Sequence, residues 1–316
     1  MPSLAITQPG ITEEHSPRVP GQAVPRQVTP RDLAVAALLA TAAVVLTWDA
    51  WKDVYRLGTS REEMGYVLLA PFVILWIAWV RAGEYRQCRQ RGGWVGLLIL
   101  AAGYLVFWYG YVADPVLWRA GAVMLAAGGV IVALGSDVMF RFLPAFAATI
   151  FLVPVSPNGR YRLAEPLQTA TASATQSLCD LLGIHVDRAG NLLTINGVDV
   201  TVAEACNGMR MILTLVLVCY AIAFALPLRA YVRFLLLAAS PLVAIVANVV
   251  RLVPTVWLFG NASAETAETF HVVGGWVMTV VAFLFLMGFF RLLQRAGEEQ
   301  EEAAAEGAAA AAGGGR

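Results

Sequence analysis

The chain is 316 residues long, 59% hydrophobic and 14% charged, with mean hydropathy +0.67; a soluble domain carries about a quarter charged residues, so this composition describes a polytopic membrane protein. Lys+Arg and Asp+Glu balance at 22 each, which gives no basic excess to favour nucleic acid. Lys52 is the only lysine, so Schiff-base chemistry and Walker-type phosphate loops have almost nothing to work with.

In chain order, residues 1–30 hold Pro2, Pro9, Pro17, Pro20, Pro25 and Pro30 with scattered charges and no apolar period, the composition of a disordered cytoplasmic leader. Eight apolar stretches follow, at about 32–50, 64–82, 93–112, 117–135, 139–155, 208–227, 230–259 and 273–293, most of them close to the roughly 20 residues that cross a hydrocarbon core of about 30 Å. With the N-terminus inside, the cytoplasmic segments collect Arg18, Arg26, Arg31, Arg81, Arg86, Arg89, Arg91, Arg141, Arg229, Arg233, Arg291 and Arg295. Lys52, Arg56, Arg61, Arg160, Arg162 and Arg188 fall outside, with Arg119 at a helix edge. The positive-inside bias therefore predicts both termini in the cytoplasm and a location in the cytoplasmic (inner) membrane. From 297 to 316 the chain turns Glu-rich, then Ala- and Gly-rich, a low-complexity cytoplasmic tail with nothing to build a core. The expected architecture is an all-α integral membrane protein, with a polytopic domain over 31–296.

One connection, about 156–207, is too long for a mere link and lies outside the membrane in this topology. Leu163, Leu167, Ala170, Ala174, Leu178 and Leu181 recur at helical spacing in its first half, which predicts an amphipathic helix. In its second half Leu193 and Ile195 precede Asn196-Gly197, and Val198, Val200 and Val202 follow, a strong hairpin signal. A small extracytoplasmic cap of helix plus hairpin is expected to lead into Cys206.

Cys206 stands in Glu204-Ala205-Cys206-Asn207-Gly208-Met209-Arg210, just before a long apolar helix. A thiolate there gains from the positive end of the helix dipole and from Arg210 one turn on. Alone, the same cysteine reads more readily as a small buried hydrophobe. Arg251 shifts the balance, because an arginine in the apolar stretch Leu235 to Phe259 is expensive and by default functional, although snorkelling to outer headgroups is a competing role. Counted from Arg229 and Arg233 it lies roughly 27 to 33 Å along the helix, near the outer face. Asn248, three residues earlier, shares its side. His271 opens the last span from the same face. A thiol, a guanidinium and an imidazole thus reach one level of the membrane, a set suited to nucleophilic catalysis with oxyanion stabilisation.

The other sulfur and imidazole groups carry less. Cys219 is about 20 Å along the helix from Cys206, too far to bridge, and Cys88 lies in an Arg-rich cytoplasmic loop. Cys179 is outside, so a disulfide with Cys206 is the structural rival. His185, His271 and Cys206 lack the spacing of a metal site, no C-x-x-C pair occurs, and no cofactor is expected. His15 falls in the leader. Glu204 is placed to orient His271 or Arg210, or to be solvated.

Block by block, Glu204-Ala205-Cys206-Asn207-Gly208-Met209-Arg210, Asn248-Val249-Val250-Arg251-Leu252 and His271 with Gly274-Gly275-Trp276 resemble the exosortase/archaeosortase family over roughly residues 30–295. The resemblance implies that Cys206, Arg251 and His271 form a catalytic set, with Glu204, Asn207, Arg210 and Asn248 in support. It further implies a membrane cysteine transpeptidase that cleaves C-terminal sorting signals of exported proteins, each signal combining a Pro-Glu-Pro-like motif, a transmembrane helix and a basic tail. Such PEP-CTERM-like proteins and membrane lipid are the expected partners. Asn207 stands where the family usually has serine, and it retains a donor and an acceptor. Two other classes stay open: a transport or assembly component for envelope polysaccharide in which Arg251 binds an anion, and a thiol-disulfide enzyme using Cys179 with Cys206.

Overall fold

The computed structural model describes residues 28–88, 92–202 and 208–313, so the leader expected over 1–30 lies almost wholly outside the described residues. The chain forms α1 Pro30–Leu46, α2 Trp48–Ser60, α3 Tyr66–Val80, α4 Gly93–Ala113, α5 Pro115–Leu134, α6 Ser136–Arg141 and α7 Leu143–Ala148. These are followed by α8 Pro157–Leu181, strands β1 Asp187–Ala189, β2 Leu192–Ile195 and β3 Val198–Thr201, and then α9 Met209–Ala225, α10 Ala230–Asn261 and α11 Ala264–Gly313. The residues expected as a tail from 297 continue α11.

Among the described residues, four helices are long and apolar enough to cross a membrane: α4, α5, α10 and Ala264–Arg295 of α11. The pair α1 and α2 makes a fifth if counted together, bent by 80°. At that bend the Thr47 hydroxyl donates to the Ala43 carbonyl and accepts from Trp51 Nε1, local bonds that compete with a straight helix. The remaining expected stretches are shorter apolar helices: α3, Leu143–Leu152 and α9. The stretch at 139–155 is divided because Phe142 leaves helical geometry between α6 and α7, α7 restarts with Pro144 in its first turn, and Thr149–Leu152 tightens into a 3-10 turn. Phe72, Trp79, Trp108, Phe234, Leu284 and Phe285 face outward. In water that belt would aggregate; in lipid it is solvated.

Packing follows small residues. Gly96, Gly103 and Gly110 form one buried face of α4 against Gly121 and Gly128 of α5, and a Cβ on Gly96, Gly110 or Gly121 would run into the backbone of the facing helix. Close backbone approach is how helices gain contact where lipid is as apolar as their side chains. Two ion pairs join elements distant in the chain, Asp53 of α2 with Arg119 of α5 at 2.7 Å and Glu63, just before α3, with Arg160 of α8 at 2.7 Å, all four side chains largely sequestered.

α9, α10 and α11 build a second core. Met211, Leu215, Cys219 and Ala223 meet Val232, Leu236, Ala244 and Ala247, with Ala282, Leu286 and Phe290 from α11. The pairing of early α9 with late α10, and of late α11 with early α10, makes consecutive helices antiparallel. Their shared end holds Arg210, Arg251 and the start of α11.

At about 48 Å, α10 outruns a hydrocarbon core of about 30 Å. Its last turns carry a sheet of order β1-β2-β3, both pairs antiparallel. Asn196 and Gly197 join β2 to β3 with φ +51 and +78, the positive pair of a type I′ turn. Asn196 Nδ2 donates to the Gly260 carbonyl and to Asn261 Oδ1, and Ile195 fills the space beside Gly260. Leu193, Ile195, Val200 and Val202 pack with Leu252, Val253 and Val256 of α10, and Ala172 and Cys179 of α8 complete this core.

The buried side of α8 differs from the row expected. Ala164, Thr171, Ala172, Thr175 and Cys179 face inward, while Ala170, Ala174 and Leu181 are exposed. Small side chains let α8 lie close on α10 and the sheet, with Leu178 of the expected row packed at the edge of the same core.

Candidate active site

Arg251 lies in the third quarter of α10 and is 3% exposed, with Asn248 beneath it at 0%. One helical turn separates them, so Arg251 Nη2 donates to Asn248 Oδ1 at 2.9 Å. The Thr255 hydroxyl donates to the Arg251 carbonyl one turn further on. Snorkelling to headgroups is therefore not the geometry of Arg251: its guanidinium is turned into the bundle and fixed there by an amide.

The start of α9 comes against the same turn. Gly208 takes φ +76, and a Cβ there would stand 3.2 Å from the Asn248 side chain. Both the left-handed backbone and the close approach require glycine. One turn of α9 then carries Arg210 toward α11.

Two glycines of α11 receive the arginines. Arg251 Cγ runs past Gly274, and a Cβ on Gly275 would stand 2.7 Å from Arg210 Nη2 and 2.8 Å from Arg251 Nη1. The two guanidinium groups thus fill the space that a side chain at 275 would take. Arg210 also lies over the Trp276 ring, 5.5 Å from its centroid, a cation–π contact. His271 is half-buried, four residues before Gly275 on the same face of α11. Three elements distant in sequence therefore bring Arg210, Asn248, Arg251 and His271 to one end of the α9–α10–α11 bundle.

Cys206, Glu204 and Asn207 lie outside the described residues, as does His15. The described chain stops at Val202, packed with α10, and resumes at Gly208 against Asn248. Cys179 is a free thiol enclosed in the core of the cap. Burial, with Asp180 adding, pushes its pKa up, which suits packing rather than thiol exchange. Cys219 is core between α9 and α10. Cys88 is also buried, and burial followed by the Asp137 carboxylate pushes its thiol up. His185 is exposed beside Asp187, 3.9 Å away. Among the described residues no three His, Cys, Asp or Glu side chains group as metal ligands.

Sequence reasoning did not assign a role to Gly208, Gly275 or Trp276. The glycines give a sequence signal only through their place beside Arg210 and His271. The meaning of Gly275 as a seat for two cations depends on helix pairing, which sequence alone does not set.

The family model for transmembrane exosortase (Exosortase_EpsH) matches residues 51–288, from within α2 to within the apolar part of α11. No curated protein matches the chain, and no solved structure does. With well over half its length matched, and with the multi-helix layout and the arginine–histidine end of the bundle inside the match, the chain belongs to the transmembrane exosortase family.

Proposed function

We propose that this family member is a membrane-embedded cysteine peptidase or transpeptidase that cleaves C-terminal, PEP-CTERM-like sorting signals of exported proteins. The observation that carries the reading is the meeting of Arg251, Arg210 and the His271 face of α11 at one end of the bundle, with Gly208, two residues after Cys206 in the chain, against Asn248. By the distribution of arginines that end faces outward from the cytoplasmic membrane, with both termini inside. A substrate whose own helix lies in the bilayer would present its motif at that level.

In this mechanism His271 takes the Cys206 thiol proton, and the thiolate attacks the carbonyl carbon of the scissile peptide. Arg251 stabilises the oxyanion of the tetrahedral intermediate. Its suitability comes from fixation: a buried guanidinium held by Asn248 needs little reorganisation as charge develops. Collapse of the intermediate breaks the C–N bond, His271 returns the proton to the departing amine, and a thioester remains on Cys206. An acceptor amine or water then attacks that thioester and regenerates the thiol.

The test co-expresses an exported reporter, ending in a Pro-Glu-Pro motif, a transmembrane helix and an Arg-rich tail from the same genome, with the wild-type protein or Cys206→Ala. Shortening of the reporter with the wild type alone is expected. Equal shortening with Cys206→Ala at equal membrane abundance would end the proposal.

A further inference from the structure

We propose that the cavity between α1, α3, α5 and α7 holds one acyl chain of a membrane phospholipid as a resident guest. The site stands on the helix bundle alone and is independent of the chemistry at the α9–α11 end.

The cavity has a volume of about 370 Å³, and Ala40 of α1, Leu75 and Ala78 of α3, Ala126 and Ala127 of α5 and Phe146 of α7 line it. In the α4–α5 seam, small residues are met by the backbone of the facing helix. Here the alanines of three helices leave room instead. Pro71 to Ala78 on α3 and Val123 to Val130 on α5 each run about 10 Å along the cavity. Tyr85 and Phe142 pack ring to ring at one end, centroids 4.3 Å apart. Trp51 stands at the other, beside the α1–α2 bend, where its Nε1 donates to the Thr47 hydroxyl.

The lining selects hydrocarbon over water. The Thr149 hydroxyl is committed to the Phe146 carbonyl and Trp51 Nε1 to Thr47, whereas a buried water needs two to four polar partners. An apolar cavity of about 150 Å³ already stays dry and binds benzene. At roughly 30 Å³ for a group the size of a water molecule, this one takes about a dozen methylenes. Without a guest, every residue that lines it would forfeit dispersion contacts. Pro71 and Leu75 are exposed on the outer side of α3, so the cavity reaches the surface that the bilayer covers, and the hydrocarbon at that surface is lipid chain. Beyond the Tyr85–Phe142 end the charges are of both signs, Arg141 lying 3.5 Å from Asp137. The site therefore reads the chain and is indifferent to headgroup charge.

The experiment reconstitutes the full-length protein in nanodiscs of dimyristoyl phosphatidylcholine that include a phosphatidylcholine probe with a diazirine in one chain. Excess vesicles of unlabelled lipid then chase the probe, and adducts left after irradiation are mapped by peptide mass. Adducts on Ala126, Ala127, Val130 and Phe146 should outlast those on the exposed Leu284 and Phe285 by at least about tenfold in chase time. Ala127→Phe and Ala78→Leu fill the cavity from different helices, and each should cut the persistent adducts by at least about tenfold with membrane abundance retained. Ala78→Leu carries the test if Ala127→Phe does not accumulate. Stripping lipid with detergent should lower the thermal midpoint of the wild type more than that of either filled variant, a difference that a merely structural substitution does not produce. A phosphatidylglycerol probe should label the cavity to within about twofold of the phosphatidylcholine probe. Cavity adducts that are absent or vanish as fast as those on α11, persistence unchanged by both fillings, or a headgroup preference beyond that range would overturn the inference. Cross-links from these positions to a second copy of the chain in place of lipid would do the same.

Discussion

The α4–α5 seam and the α10–α11 seam both carry glycines at the point of contact, and they use them in opposite ways. Along α4 and α5 the missing side chains bring two backbones together, so Gly96, Gly110 and Gly121 are filled by the facing main chain. At the head of α11 the missing side chains at Gly274 and Gly275 admit the stem of Arg251 and the ends of two guanidinium groups. One seam gains dispersion contact. The other gives up packing to hold charge, the kind of local conflict that concentrates at functional sites. Elsewhere buried charge is held between elements: Arg119 of α5 meets Asp53 and Arg160 of α8 meets Glu63, and at the head of α11 Arg251 bonds Asn248 and reaches the glycine pair.

That comparison can be broken in graded steps. The largest effect is expected from Arg251→Gln, which keeps a hydrogen-bonding group for Asn248 but removes the charge. Reporter cleavage should fall by about two to three orders of magnitude, read from single-time-point processing against a dilution series of wild type, with membrane abundance retained. Gly275→Val comes next. It forces both guanidinium groups aside, so cleavage should fall by at least about tenfold, with a smaller loss of thermal stability in detergent than a clash with backbone gives, because the atoms displaced are side-chain ends. Gly110→Val is the matched control in the other seam. Its Cβ meets the Trp118 and Leu117 backbone, so it should cost about 1–3 kcal/mol of stability and lower abundance, with cleavage per folded molecule unchanged. If Gly110→Val instead removed cleavage from fully stable protein, the division between the two seams would be wrong.

Two smaller effects concern the cap. Asn196→Ala removes the side-chain bonds to Gly260 and Asn261 and a residue suited to φ +51. A loss of about 1–2 kcal/mol is expected, visible as earlier proteolysis within 187–201. Cys179→Ala should preserve cleavage, and Cys179 in the native protein should resist maleimide at neutral pH, since it is enclosed and burial favours its protonated form. Rapid labelling of Cys179, or loss of cleavage in Cys179→Ala, would favour thiol exchange instead.

Much of this was legible in the sequence for physical reasons. Composition and apolar run length mark a membrane bundle because lipid admits few alternatives. Arg251 and Asn248 announce a polar pocket because an arginine within so long an apolar run is costly. Asn196 and Gly197 tolerate positive φ, and the chain turns there. Other features depended on tertiary context. The break at Thr47 and the division of 139–155 into short helices come from local hydrogen bonds and from the non-helical backbone of Phe142 ahead of Pro144, which a count of apolar residues overlooks. The inward face of α8 is chosen by close approach to α10, so Thr171, Thr175 and Cys179 are buried while Ala170, Ala174 and Leu181 of the expected row are exposed. The partnership of Arg210 with Arg251 at Gly275 needs the antiparallel pairing of three helices, and no single segment carries that information.

The central claim is that Cys206 forms a covalent bond to the substrate at the arginine–histidine end of the bundle. The most direct measurement incubates purified full-length protein in lipid nanodiscs with a synthetic peptide carrying the cognate motif, quenches in acid, and reads intact mass followed by peptide mapping. The account predicts an adduct equal in mass to the N-terminal fragment less water, located on the peptide containing Cys206 and released by hydroxylamine. It also predicts that this adduct is absent from Cys206→Ala and strongly reduced in Arg251→Gln. Peptide cleavage that proceeds without any hydroxylamine-labile adduct on Cys206, or an adduct on another residue, would contradict it.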